Sequence, residues 1–374
     1  MIVGVTPTLP YYHGNTMKKT VTIVAVAAVI AIAAFAAFWY FRSGNPVDPE
    51  TTPPPPPAAT PSLVPVSEKA IARYWAEGET VYLVSEDGRV SRLGNGIETP
   101  VSNQSIADLR SVIESPDGKR ILVSFGPSRT PTFSIFDIGA DKWSPLPAGT
   151  VSAAWSPSGA EIAYLMESTS DSAIGTLNAS TLKKTELLRL AGGDFSLSWV
   201  TPKKIYLVEK PSAKYPVSSW SLDIATRMLT PLMVPTNGLS VRWSGSGSAA
   251  LVFANTLKEN SLTLTTGTGK LVASLPFATL PEKCTFVDDS VYCAVPASIP
   301  PGTLLPDDFV TGAARFSDDI VAWAAGAAAP TAIYRGGAIP IDARELTVSS
   351  DNKKIRFVNR YDKKLYEVPV KPAP

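Results

Sequence analysis

Val151-Ser-Ala-Ala-Trp155-Ser-Pro-Ser-Gly159-Ala-Glu-Ile-Ala-Tyr-Leu165 decides the architecture, because imperfect copies of it recur along most of the chain. Val151, Ala153 and Trp155 recur with a period of two, as do Ile162 and Tyr164, the pattern of strands with one face against a core. Between the two runs, Pro157 fixes φ and Gly159 tolerates positive φ, which a tight hairpin made of a type I turn and a left-handed residue requires. Each copy therefore reads as strand, turn, strand.

Upstream the copy is Ile113-Glu-Ser-Pro116-Asp-Gly118-Lys-Arg-Ile-Leu-Val-Ser-Phe125. Downstream come Trp199-Val-Thr-Pro202-Lys-Lys-Ile-Tyr-Leu207 and Trp243-Ser-Gly-Ser-Gly247-Ser-Ala-Ala-Leu-Val-Phe253. More worn copies follow at Phe286-Val-Asp288-Asp-Ser-Val-Tyr292 and Val348-Ser-Ser-Asp351-Asn-Lys-Lys-Ile-Arg-Phe357. Trp155, Trp199 and Trp243 stand 44 residues apart at each step (199−155 and 243−199), and strand-rich repeats of that period belong to propeller blades. A second hairpin follows the first, as in Phe133–Ile138 with Trp143–Leu146, giving four antiparallel strands per blade. The reading is all-β: a seven-bladed β-propeller over 63–371, with six blades as the alternative. The alternative stands because Asp288-Asp289 and Asp351-Asn352 lack both Pro and Gly, so blades six and seven rest on register. The last blade shows only three clear strands, so a strand from the N-terminal side, Leu63-Val-Pro-Val66, is expected to close the ring.

Trp155-Ser-Pro-Ser-Gly-Ala-Glu-Ile-Ala-Tyr164 and Glu114-Ser-Pro-Asp-Gly-Lys-Arg-Ile-Leu-Val123 resemble the W-S-P-D-G-K-x-I-x-F repeat of TolB-type, WD-repeat-like bacterial β-propellers. The resemblance runs from about Ala70 to Val370. It implies the propeller fold and says little of function, since that family includes colicin-uptake components, peptidase propeller domains and proteins of unknown role.

Ahead of the repeats, residues 1–16 carry no charge and no periodicity, and Met17-Lys-Lys19 reads as the start of a membrane-targeting segment, with Met17 as the expected true start. Val21 to Phe41 is apolar almost throughout and long enough to span a bilayer, with Phe38-Trp-Tyr-Phe41 as an interfacial belt. Residues 17–42 are therefore expected to form an uncleaved single-pass anchor, a cleaved signal peptide being the rival. Lys18 and Lys19 before the span, and Asp48 and Glu50 after Arg42, place the N-terminus in the cytoplasm and the bulk of the chain outside the cell membrane, in the periplasm or on the cell surface. Residues 43–62 are a Pro-rich spacer, stiff and extended.

With 34 basic and 33 acidic residues the formal charge is +1, so nothing favours nucleic acid. The one histidine, His13, precedes the repeats, which removes His-based triads, Cys-His pairs and histidine metal sites from the repeat domain. No phosphate-cradling glycine motif is present. The sequence thus offers no catalytic set, no metal site and no cofactor. The doublets Asp288-Asp289 and Asp318-Asp319 read as hairpin turn residues, and the repeat-locked tryptophans as inter-blade core.

Two features invite function or staple the fold. Cys284 and Cys293 are symmetric about Asp288-Asp289, hence opposite each other across a hairpin, and are expected to form a disulfide worth about 2–3 kcal/mol. Asp288 and Asp351 are 63 residues apart (351−288), roughly twenty beyond the repeat, and the excess is a Pro-rich loop between the second and third strands of blade six. Its Ile299, Leu304, Leu305 and Phe309, with Asp307 and Asp308 at the rim, are the candidate binding residues, expected to cap the channel or meet a partner, unless the loop packs on its own blade. The functional expectation is a membrane-anchored, extracytoplasmic module that binds an envelope protein or polymer. The alternative is a carboxylate-dependent propeller enzyme, a glycosidase or lyase.

Overall fold

The computed structural model describes residues 62–370, apart from 79, 103, 256–258 and 338. The expected anchor, the residues before it and the spacer up to residue 61 lie outside the described residues. Among the described residues no helix is long and apolar enough to cross a membrane.

Seven antiparallel sheets of four strands form seven blades, so the count of seven stands and six does not. The first strands of the blades are Ile71–Glu77, Leu109–Glu114, Thr150–Trp155, Phe195–Thr201, Ser240–Trp243, Cys284–Val287 and Ala343–Val348. Those of neighbouring blades approach one another around the axis, which makes them the inner strands. In blade seven the fourth, outer strand is Val64–Pro65, paired with Glu367 and Tyr366. The chain thus closes its own ring, as the stretch Leu63–Val66 led one to expect. The seam is reinforced beyond the two-residue strand: Val66 N–H donates to Leu365 O at 2.8 Å, Ile71 N–H to Lys363 O at 2.7 Å, and Leu365 N–H to the buried Ser67 hydroxyl at 2.9 Å.

The core is a set of layers between blades. Trp155 packs with Leu122, Phe133 and Ile135 of the preceding blade and donates its indole N–H to Ile113 O at 3.0 Å. Trp199 meets Ala163 and Leu165, and Trp243 stacks on Tyr206 with centroids 4.1 Å apart. In blades three, four and five one tryptophan therefore bolts the blade to the one before it, each buried aromatic contributing on the order of 2–3 kcal/mol.

The turns between first and second strands share one geometry in blades two, three, five and seven, and are two-residue loops in blades one, four and six. Ser115, Ser156, Ser244 and Ser349 each donate their N–H to the carbonyl five residues on, and accept that same residue's N–H on their hydroxyl. The residue three after the serine needs positive φ, and Gly118, Gly159 and Gly247 supply it. In blade seven Asn352 takes that place at φ +57°, whereas blade six turns on a two-residue loop, Asp288-Asp289 between the paired Val287 and Ser290, with Asp288 at φ +49°. Asn and Asp tolerate the left-handed region better than other residues with a Cβ, so the worn copies keep their turns without Pro or Gly.

Candidate functional site

The Pro-rich segment leaves the second strand of blade six (Ser290–Pro296) and returns at the third (Asp318–Ala324), on the face opposite the serine turns. It does not lie on its own blade alone. Asp307 accepts the N–H of Ala213 in blade four at 3.0 Å, and Asn255 of blade five donates to Leu305 O at 3.2 Å. Arg360 of blade seven donates to Phe309 O at 2.8 Å and lies 3.8 Å over the Phe309 ring. The segment straps four blades together.

This placement decides what its side chains can do. Leu305 and Phe309 are buried with Leu280, Val321 and Trp323, and Ile299 is half-buried against the same cluster. Asp308 accepts the Leu304 N–H at 2.8 Å, and residues Asp307–Val310 form one helical turn. Of the six candidates Leu304 alone presents a large apolar side chain to solvent, at 41 % exposure. Leu305 and Phe309 are spent on the fold.

Under the strap lies a buried ion network. Lys283 Nζ sits 2.7 Å from Asp318 Oδ2 and 2.7 Å from Asp342 Oδ1, and Arg360 Nη1 is 2.6 Å from Asp342 Oδ2. Asp318 also accepts the Ala343 N–H and Asp342 the Phe316 N–H. The rings of Phe309 and Phe316 flank the ammonium at 5.2 and 5.1 Å. Two cations balance two carboxylates, so burial costs little net charge. Asp318 is thus not a turn residue: it opens a strand, is wholly buried, and its carboxyl is pushed up to about 6 by that burial against the pull of Lys283. Asp288-Asp289 does form the hairpin turn expected of it. Cys284 and Cys293 are register partners with Cα atoms 4.0 Å apart, joined in the expected disulfide.

The central channel holds a second set of charges, which sequence reasoning missed. Arg73 on the inner strand of blade one pairs with Glu114 of blade two at 2.9 Å and with Glu345 of blade seven at 3.4 Å. Burial works against the Arg73 charge, but the two carboxylates outweigh it and hold its affinity for the proton raised. Arg242 on the inner strand of blade five feels Arg73, Glu114 and Glu345, groups on three blades across the axis. Burial, then the like charge of Arg73, lowers its hold on its proton. Glu282, just before the inner strand of blade six, is exposed to solvent, yet the protein packed around it raises its carboxyl while Arg360, Lys283, Arg242 and Arg344 pull it down. A signal was available: the residue before the repeat tryptophan is Ala154 in blade three and Ser198 in blade four, but Arg242 in blade five. Among the described residues no three His, Cys, Asp or Glu side chains converge as a metal ion needs.

No family model matches the chain, and no curated protein does. Solved structures do. An oligogalacturonate lyase in complex with manganese is similar at TM-score 0.61 and 10 % identity, over 84 % of this chain and 94 % of that one. The β-propeller domain of the Trilobed protease from Pyrococcus furiosus, described as having an open velcro topology, is similar at TM-score 0.54 and 11 % identity, over 81 % and 94 %. The tricorn protease gives TM-score 0.53 and 10 % identity over 83 % of this chain, which spans about a third (34 %) of that protein. TolB from Acinetobacter baumannii, at TM-score 0.44 and 12 % identity over 80 % and 79 %, is too distant to carry an argument. At such identities the likeness establishes the fold alone, which the seven four-stranded sheets define as a seven-bladed β-propeller.

Proposed function

We propose that the chain is a membrane-anchored, extracytoplasmic propeller that binds an envelope protein or polymer rather than transforming it. Lys18 and Lys19 ahead of the apolar run Val21 to Phe41, and the Pro-rich spacer after it, support the anchor and its direction. The observation that carries the binding reading is the state of the channel carboxylates. Arg73 hydrogen-bonds both carboxylate oxygens of Glu114 and faces Glu345 at 3.4 Å, which suits a fixed electrostatic surface.

A carboxylate-dependent enzyme is the second reading, and Glu282 favours it, because a channel carboxyl whose proton affinity is raised by the protein packed around it is the kind of group that serves as a general acid. Full-length protein in detergent, incubated with acidic and neutral envelope polysaccharides and with crosslinked membranes, separates the two. Retention of a ligand with no new chain ends supports the binding module. Polymer cleavage that Glu282→Gln abolishes overturns it.

A further inference from the structure

On the face of the serine turns, opposite the strap, blades four and five leave an open notch of about 490 Å³ between them. Residues 201–204 and Tyr206 of blade four form one wall, and residues 247–248 and 266–268 of blade five form the other. Proline, threonine, glycine and lysine stems line it, so the surface it shows to water is mostly carbon. Tyr206, 3 % exposed and stacked on Trp243, is the most buried of the lining side chains. Its hydroxyl makes no hydrogen bond among the described residues and is not sealed from solvent, so the polar tip of a buried ring opens into the notch. The surroundings are cationic. On the turns of these two blades at this face, Lys203, Lys204, Arg227 and Lys270 stand against Asp223 alone, in a chain whose formal charge is only +1. Asp223 is already engaged, accepting the N–H groups of Ala225 and Thr226 at 3.1 and 2.9 Å and the Thr226 hydroxyl at 3.0 Å. None of the four cations forms an ion pair or a side-chain hydrogen bond among the described residues. Next to two of them in sequence, Met228 and Leu271 are 63 % and 59 % exposed. An apolar hollow in water and cations gathered without acids are each unfavourable, and one kind of occupant relieves both.

We propose that the notch between blades four and five docks an acidic segment of a partner protein, one that presents an apolar side chain beside carboxylates. The inference rests on the binding reading above and names the kind of partner. The apolar side chain displaces water from the carbon walls, and the carboxylates meet Lys203 and Lys204, whose flexible stems let the ammonium groups follow them. The volume lies at the low end of ligand sites, roughly 300–1,000 Å³, which suits one or two side chains of a segment lying across the open mouth. A neutral sugar would leave the lysines unpaired, and a fatty-acyl chain needs an enclosed tunnel. The corresponding notch between blades one and two, lined by Tyr82 as this one is by Tyr206, sets Glu77, Asp117 and Asp137 beside Lys119 and Arg120, so it offers an acidic segment no net attraction.

Saturation-transfer NMR of the full-length protein in lipid nanodiscs tests the inference, with the capped peptide Gly-Phe-Asp-Glu-Gly as probe and empty nanodiscs as the baseline. Gly-Phe-Asn-Gln-Gly removes its charge, Gly-Ala-Asp-Glu-Gly removes its apolar side chain, and D-glucuronate stands for an acidic polymer. The probe should bind, the uncharged peptide about fivefold more weakly, and the alanine peptide about tenfold more weakly. Lys203→Gln with Lys204→Gln should weaken the probe about fivefold to tenfold, the loss of two exposed pairs. Ser248→Trp, at an exposed position of the wall, should fill the notch and abolish binding. The lysine variant has no ion pair to lose and should melt with the parent, so it decides alone if Ser248→Trp fails to fold. Absence of probe binding, equal binding of either altered peptide, tighter binding of D-glucuronate, or a probe affinity unchanged in the lysine variant each overturns the site. If the lysine variant still retains the parent's partner from crosslinked membranes, the notch falls and the binding module stands.

Discussion

Lys283 shows how a single residue can be both the costliest and the most informative group in the chain. It is wholly buried between Asp318 and Asp342, with two phenylalanine rings beside it. Lys283→Met leaves two carboxylates facing one arginine and should cost about 3–5 kcal/mol in urea unfolding, the usual penalty for breaking a buried pair. Asp318 adds a pH signature. Its carboxyl, at about 6 in the folded protein, titrates near 3.9 in an unfolded chain. Between those values the folded state holds a proton that the unfolded state has released, so this contribution stabilises fully below about pH 4 and is lost as the pH rises through 6. Urea midpoints from pH 4 to 7 should therefore fall less steeply with rising pH in Asp318→Asn than in the parent. An identical slope would refute the assignment. From sequence alone Asp318 looked like one half of a turn doublet, because the hairpin it was assigned to does not exist. The long strap displaces the turn, and what selects an aspartate there is a lysine 35 residues earlier.

At the level of elements, the serine turn was legible and its variants were not. Gly159 holds φ +71° with Pro116 Cδ 3.4 Å from where a Cβ would stand. Gly159→Ala should thus lower stability by about 1 kcal/mol, from the left-handed backbone more than from contact. Asn352→Gly should be neutral or slightly stabilising, since asparagine already meets the same demand. Thermal melts of the two variants check the pair. The turn motif fades in blade seven because a left-handed residue and a serine hydroxyl suffice, and several residues supply the first; in blade six a shorter two-residue loop replaces it. In blade six the disulfide supports the same hairpin. Alkylation of unfolded, unreduced protein should leave Cys284 and Cys293 unmodified, and replacing both by serine should cost about 2–3 kcal/mol. The strap itself was legible as an insertion by counting residues, but its destination was not, since nothing local in Leu305 or Phe309 says that blades five and seven receive them. Leu305→Ala should cost about 2–5 kcal/mol, which a surface loop would not show.

At the scale of the whole molecule, the number of blades and the closing strand follow from repeat arithmetic and from the need to cover an open sheet edge. The channel charges do not, because they break the repeat rather than obey it: Arg73, Glu114, Arg242 and Glu345 come from four blades and meet only when the ring is complete. Removal of residues 62–67 takes away the outer strand of blade seven and the Ser67 hydroxyl that receives Leu365. Such a protein should melt at a lower temperature and associate in solution through the bared Leu365–Pro369 edge, as sedimentation would show.

The seam also has a direction. Val64 and Pro65 form the first described strand after the Pro-rich run, so any pull transmitted along the chain from its N-terminal side enters the ring there and nowhere else. A load on the end of an antiparallel pair opens its hydrogen bonds one after another, as a zip opens, and the next bonds in line are those of Val66 and Ser67 to Leu365, then Ile71 to Lys363. Blades two to six, each a continuous run of four strands, bear none of that load until the seam has gone. Under tension from that side the propeller would lengthen at blade seven first, before its channel came apart, a mechanical fuse set by where one short strand was borrowed.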